Sequence, residues 1–303
     1  MDLRQLAALV AVADEGTFSA AADALHTVQS NVSTHVRRLE RELGAQLVDR
    51  AGNRLTEEGE VVVARARRVQ EELAAMVADV AALRDEVSGR SRLGIISSTA
   101  RWLVPLLLTE LDARHPKIDL VVVDATTTSL EPQVVAGTLD LAIVNLPCDD
   151  PDLAAELLFD EQFVVVTPTA HPLASRRSVT LTQLADVPLV LPPVGTAFRG
   201  DLDQAATQAG VQLLPKAEVD GVRLTASMVF QGFAPAILPA TAVLSWQSNG
   251  EWKTMPLREM PPRQVGLVVR RRGLPSAPTR AVVEVVRDVV SREGHHQPGI
   301  RTR

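Results

Sequence analysis

No tyrosine occurs anywhere in the 303 residues, aromatic side chains make up only 3% of them, and the one cysteine is Cys148. With so few rings, the cores have to be built from Val, Leu, Ile and Ala. A lone thiol excludes an internal disulfide and fits a cytoplasmic setting. No apolar run approaches the about 20 residues of a membrane helix, and the N-terminus, with Asp2 and Arg4, has no signal-peptide core. A positive balance is missing too, since the formal charge is −6. Motifs of catalysis are equally scarce. There is no glycine-rich dinucleotide turn after a strand, no P-loop and no nucleophile elbow. The six histidines are scattered except for His295-His296, so no metal-ligand spacing emerges. Neither an enzyme nor a cofactor is expected.

What is present is organised around residues 17–44. Phe18, Ala21, Ala22 and Leu25 fall on one apolar helical face, with Ser19 as the expected N-cap. Val32, Val36, Leu39 and Leu43 form a second stripe, and the opposite face carries Ser30, Thr34, Arg37 and Arg41, with Arg38 beside them. Two short helices of this kind read as a helix-turn-helix, in which early polar residues touch base edges and arginines hold phosphates. Periodicity alone also suits any helical bundle. Residues 1–58 carry six Arg against nine Asp or Glu, whereas residues 31–54 carry five Arg against three. Contact with nucleic acid therefore has to be local and focused.

Around this pair, residues 2–15 read as a supporting helix. Gln46–Leu55 reads as a short wing turning at Ala51-Gly52-Asn53, flanked by Arg50 and Arg54. Thr56 caps a long helix, along which Val62, Ala66, Val69, Leu73, Met76, Val80, Leu83 and Val87 step by fours and threes, the seam of a two-stranded coil. Ser88–Ser91 reads as a hinge. Beyond it strands and helices alternate, with runs such as Leu120–Val123 suiting buried parallel strands covered on both faces. The tail from His295 has no periodicity and is expected to be mobile.

Ala20–His26, Val28–Ser33, Val36–Gly44, Leu47–Arg50 and Leu55–Glu60 resemble, in order, the DNA-binding segment of LysR-type transcriptional regulators. Gly94–Ser98 before Leu103-Val104-Pro105, Ala136–Ile143, His171–Leu173 and Gly232–Pro239 are similar to that family's effector-binding part. The resemblance implies a multidomain chain: an all-α winged helix-turn-helix (1–58), a dimerisation linker helix and hinge (59–90), an α/β two-lobed domain like the periplasmic binding proteins (91–293), and the tail (294–303).

Partners follow from the same reading. Double-stranded DNA is expected at Gln29, Ser30, Asn31, Ser33, Thr34, Arg37, Arg38, Arg41, Arg50 and Arg54. Self-association is expected through residues 59–87, and the family implies a tetramer. No membrane partner is expected. In open α/β sheets a ligand sits at strand ends near helix N-termini. That places a small-molecule effector at Ser97, Ser98, Thr99, Thr127, Thr128 and Asn145 from the first lobe, and at Thr196, Phe198, Arg199 and Phe233 from the second. Of these, the resemblance brings Ser98, Thr127 and Asn145 to the family's cleft. Helix capping is an equal claim on the Ser and Thr residues. Arg101 and Arg199 would suit an anionic effector. Cys148 has no partner thiol for a redox switch. A solute-binding protein of the same α/β fold is the alternative, opposed by the N-terminal helix pair.

Overall fold

The computed structural model describes residues 1–49, 52, 54–83, 87–243 and 250–302. Helix α1 (Leu3–Glu15) opens under a capping box in which Asp2 and Gln5 each accept the other's backbone N–H. Helix α2 (Phe18–Ala24) is capped by Thr17 rather than Ser19, the Thr17 hydroxyl accepting from Ala20 N–H. Helix α3 (Gln29–Leu43) starts after Val28, which offers no side-chain cap, while the Thr27 hydroxyl accepts from Asn31 Nδ2.

Val32, Val36 and Leu39 lie buried against Leu6, Leu9, Val12, Ala21 and Ala22 in one small core. Leu25 and Leu43, expected in the same stripes, are 38% and 43% exposed. Leu25 follows the last residue of α2 and Leu43 is the last of α3, where each helix has run past the core. The wing is a two-residue ladder, β1 (Val48–Asp49) against β2 (Arg54–Leu55). Arg50, Ala51 and Asn53 lie outside the described residues.

Thr56 caps α4 (Glu57–Ala82) by accepting from Gly59 N–H at 3.0 Å, and Glu57, Glu58 and Glu60 complement the positive end of the helix. The expected seam is shorter than eight positions. Val62 and Ala66 pack into the N-terminal core, and Val87 lies beyond the helix end. What remains is Val69, Leu73, Met76, Val80 and Leu83, from 38% to 86% exposed.

The C-terminal part is two lobes joined by two crossovers. Lobe 1 holds β3 (Gly89–Ile95), α5 (Ser97–Arg114), β4 (Ile118–Asp124), α6 (Thr127–Ala136), β5 (Leu141–Leu146) and β6 (Leu153–Glu161). The chain then passes to lobe 2: β7 (Phe163–Pro168), β8 (Val179–Thr180), β9 (Pro188–Leu191), α7 (Ala197–Gln208), β10 (Leu214–Glu218), α8 (Val222–Phe230), β11 (Ala236–Pro239) and β12 (Trp252–Arg258). It returns to lobe 1 with β13 (Arg263–Arg270), α9 (Ala277–Glu293) and β14 (Ile300–Thr302). The sheet orders are β14-β6-β13-β5-β3-β4 and β10-β9-β11-β7-β12-β8.

Four expectations are corrected here. The sheets are mixed, not parallel: β13 runs antiparallel to both neighbours, as does β7, because each returning crossover feeds a strand in from the other lobe. The Leu120–Val123 run lies on edge strand β4 and is only partly covered. The tail is ordered, since β14 pairs with β6 and Ile300 is 8% exposed, tucked beside the crossover where Gln162 N–H donates to Gly299 O at 2.9 Å. The hinge at Ser88–Ser91 is likewise already strand from Gly89, which takes φ +122° as β3 begins.

Candidate nucleic-acid interface and effector cleft

Burying Val32, Val36 and Leu39 forces the rest of α3 outward. Gln29, Ser30, Asn31, Thr34, Arg37, Arg38 and Arg41 are all exposed, and Ser33 is partly covered at the edge of the stripe. Thr34, Arg37, Glu40, Arg41 and the Gly44–Gln46 turn line an open groove on this face. Gly44 takes φ +69°, the left-handed residue that ends the helix and turns the chain toward the wing. Glu40, which the residue pattern gave no role, fixes that turn: its Oε1 accepts from Leu47 N–H at 3.0 Å and Val48 N–H at 3.3 Å. Gly59 makes the next junction possible, because a Cβ there would stand 2.0 Å from Leu47 O. Arg54 is exposed on the wing; Arg50 is outside the described residues.

In the α/β part, the expected effector residues separate into groups. Ser97, Thr127 and Thr128 do stand at the first turns of α5 and α6, with Ser97 Oγ donating to Asp124 Oδ1 and Thr127 Oγ1 accepting from Asn145 N–H at 3.0 Å. Thr128 and Thr126 share a hydroxyl contact of 3.1 Å. Three groups on the strand ends of lobe 1 carry a buried polar atom with no protein partner: Thr99 Oγ1, Asn145 Oδ1 and, one turn into α5, Trp102 Nε1. Orphaned polar atoms of this kind are places for water or a ligand. Trp102 is otherwise packed edge-on against Phe159.

Other candidates are spent on the fold. Ser98 is 2% exposed and lies inside a buried network. Its Oγ accepts from Arg263 Nη2, and its carbonyl lies 3.2 Å from Thr241 Oγ1. Arg199, expected to be free for an anion, is 8% exposed and already paired: Nε donates to Asp203, and Nη1 to Glu218 and Pro192 O at 2.9 Å each. Thr196 caps α7, accepting from Arg199 N–H at 3.3 Å. Phe198 stacks on Phe163 with ring centroids 5.2 Å apart, as packing. Phe233 is 42% exposed with Lys216 Nζ 4.6 Å over its ring.

Arg101, singled out in the sequence for an anion, joins the lobes together with residues that sequence reasoning passed over. Arg223, in the first turn of α8, pairs with Asp124 across the cleft, and Arg101 donates to Ala242 O at 2.7 Å. Burial, and then the neighbouring charge of Arg223, pull Arg101 below its usual pKa. Two cations facing one acid at the lobe boundary make that mouth favourable to an anion. Deeper, Glu161 accepts four bonds: from Thr241 N–H and Oγ1 at 2.7 and 2.6 Å, and from Arg263 Nε and Nη2 at 2.9 and 2.5 Å. Cys148 is partly buried, burial pushing its thiol up from the ordinary value. Among the described residues, no group of three or more His, Cys, Asp or Glu is arranged to hold a metal, and no helix is long and apolar enough to cross a membrane.

Residues 3–60 match the model of the bacterial regulatory helix-turn-helix protein, lysR family, and residues 84–291 match that of the LysR substrate binding domain. A Mycobacterium leprae protein named a probable hydrogen peroxide-inducible genes activator is 32% identical over 96% of this chain and 94% of its own length. The Escherichia coli DNA-binding transcriptional dual regulator OxyR is 28% identical over 96% and 95%. Among solved structures, a full-length cysteine-to-aspartate variant of OxyR from Pseudomonas aeruginosa superposes with a TM-score of 0.77 at 28% identity, covering 96% of this chain and 94% of that one. CbnR in complex with its target DNA shares the fold, with a TM-score of 0.70 at 22% identity over 96% and 99%. With both of its halves matched in order, the chain belongs to the family of LysR-type transcriptional regulators.

Proposed function

We propose that this regulator reads double-stranded DNA with the outer face of α3. Gln29, Ser30 and Asn31 approach base edges, Thr34, Arg37, Arg38 and Arg41 hold the backbone, and Arg54 adds a wing contact. The observation that carries this is the sidedness of α3: eight polar or charged side chains exposed over three buried aliphatics. Two copies pair along Val69, Leu73, Met76, Val80 and Leu83, an apolar stripe left open in the single chain, and so present two α3 helices to successive half-sites. The protein works in the cytoplasm as a regulator, with no catalysis of its own.

The effector is a small anionic molecule held between the lobes. It draws on the orphaned Thr99 and Asn145 atoms, the Thr127 and Thr128 turn, and the Arg101–Arg223 mouth. A peroxide-inducible relative invites a redox reading, but this chain has one cysteine and cannot close a disulfide within itself. Its thiol is also pushed away from the reactive thiolate.

A gel-shift titration on DNA from upstream of the protein's own gene tests the reading. Binding is expected to weaken steeply with salt, and Arg37→Ala or Arg38→Ala to lower the salt slope by about 1 each. Salt-independent binding, or variants indistinguishable from the parent, would overturn it.

A further inference from the structure

Helix α4 has a second packed side. Arg68, Glu71, Ala75 and Asp79 recur at three- and four-residue steps, with Ala78 beside them, turned away from the open apolar stripe. This side is fastened to lobe 1 of the same chain at three points. At one end the Arg68 guanidinium donates to Val135 O near the end of α6. At the other, Asp79 Oδ1 accepts from Ala277 N–H at 2.9 Å, capping α9, and pairs with Arg280 at 3.1 Å. Midway, Glu71 pairs with Arg270 of β13 at 3.2 Å beneath Gly137, where a Cβ would stand 2.6 Å from both Glu71 Oε2 and Arg270 Nη1. A cavity of about 200 Å³ adjoins the pair, and Asp140 and Arg92 line it as well. Asp140 Oδ2 accepts from Arg92 N–H at 2.7 Å.

We propose that Glu71, enclosed between α4 and lobe 1 beside a second carboxylate, is a proton-sensitive latch that sets how firmly the linker helix is held on the effector domain. Glu71 faces Arg270 from β13, Arg90 and Arg92 from β3, Asp140 from the turn before β5, and Arg272 beyond β13. From α6 it meets the Val135–Gly137 end, and its own helix adds Arg68 and Glu72. Burial dominates: it raises Glu71 from 4.5 to about 7 against the pull of Arg270.

The sign follows from linkage. When α4 lifts off, Glu71 returns to water and its ordinary value, so the docked state binds the proton more tightly. Acid therefore tightens the latch and base loosens it. With 4.5 and about 7 as the two values, docking is favoured by roughly tenfold at pH 6 relative to pH 8.

The test is backbone hydrogen exchange on the full chain at pH 6 and pH 8, corrected for intrinsic rates. It is read on peptides covering 274–281 and 134–139, which report the Ala277 cap and the α6 end. Roughly tenfold greater protection at pH 6 is expected, and Glu71→Gln should hold the pH 6 level at both values. Equal protection in the parent at the two pH values, or a pH dependence that survives in Glu71→Gln, would overturn the latch. As a second variant, Gly137→Ala drives a methyl between the paired groups and should lower protection at both pH values; unchanged protection would also refute it. Because no DNA enters this measurement, its failure stands apart from failure of the gel shift.

Discussion

Replacing Glu161 by Gln keeps the shape of the side chain and removes its charge, at a residue that is fully buried between the lobes. The carboxylate uses one oxygen for Thr241 and the other for Arg263. An amide has only one oxygen, so its NH2 must face either the two Thr241 donors or the two Arg263 donors. Facing Arg263 it loses both guanidinium bonds and sets donor against donor; facing Thr241 it strands the Thr241 N–H, though the hydroxyl can turn to accept from the amide and donate to Ser98 O. In both orientations Arg263, whose side chain is only 14% exposed, keeps its charge without a counter-ion. Breaking one side of a buried pair costs about 3–5 kcal/mol. For a domain of this size that is a fall of roughly 6–20 °C in melting temperature. Calorimetry of the full chain, following the transition of the two-lobed domain, reads it directly. Replacing both partners by leucine removes the charges together and should recover most of the loss. A Glu161→Gln melt within 2 °C of the parent, or a double variant no better than the single one, would refute the reasoning.

At the other end of the molecule, Gly59→Ala inverts the usual effect of filling a helical glycine. Alanine gains about 1 kcal/mol in helix propensity, but its methyl meets Leu47 O at 2.0 Å and levers α4 off the turn that Thr56 holds through Gln46 O. We expect a net loss of about 1–3 kcal/mol, seen as earlier urea unfolding of the N-terminal domain; a variant more stable than the parent would contradict this close approach. Leu73→Glu places a charge at the centre of the open stripe on α4. Sedimentation should show the dimer shifted toward monomer by at least tenfold in dissociation constant, and an unchanged association would remove that face from the interface.

The helices of the N-terminal part were legible because a 3.6-residue period survives in a core built on one side only, as in Val32, Val36 and Leu39. β6 was not legible. Residues 153–161 alternate poorly because a bulge in the ladder with β13, between Val265 and Gly266, shifts which face is covered. The buried network between the lobes was beyond reach for a different reason. Ser98, Glu161, Thr241 and Arg263 come from four distant segments, and only the return of the chain from lobe 2 brings them together. Arg199 could have been read correctly, since Asp203 stands one helical turn on and had first claim to its charge. The strand-end rule put Ser97 and Thr127 at helix starts, where both stand, yet Arg223 and Asp124, which pair between the lobes, carry no motif.

The order of strands in lobe 1 has a kinetic side. Lobe 2 is one continuous stretch, 163–258, whose sheet needs nothing from outside it. Lobe 1 cannot seat β5 and β6 beside a common neighbour until β13 has been synthesised, more than 100 residues after β5. Pairings across such separations are slow. During synthesis the inserted lobe is therefore free to fold first, leaving the edges of β5 and β6 waiting. The apolar β5, Leu141–Leu146, is the segment exposed to mispairing in that interval.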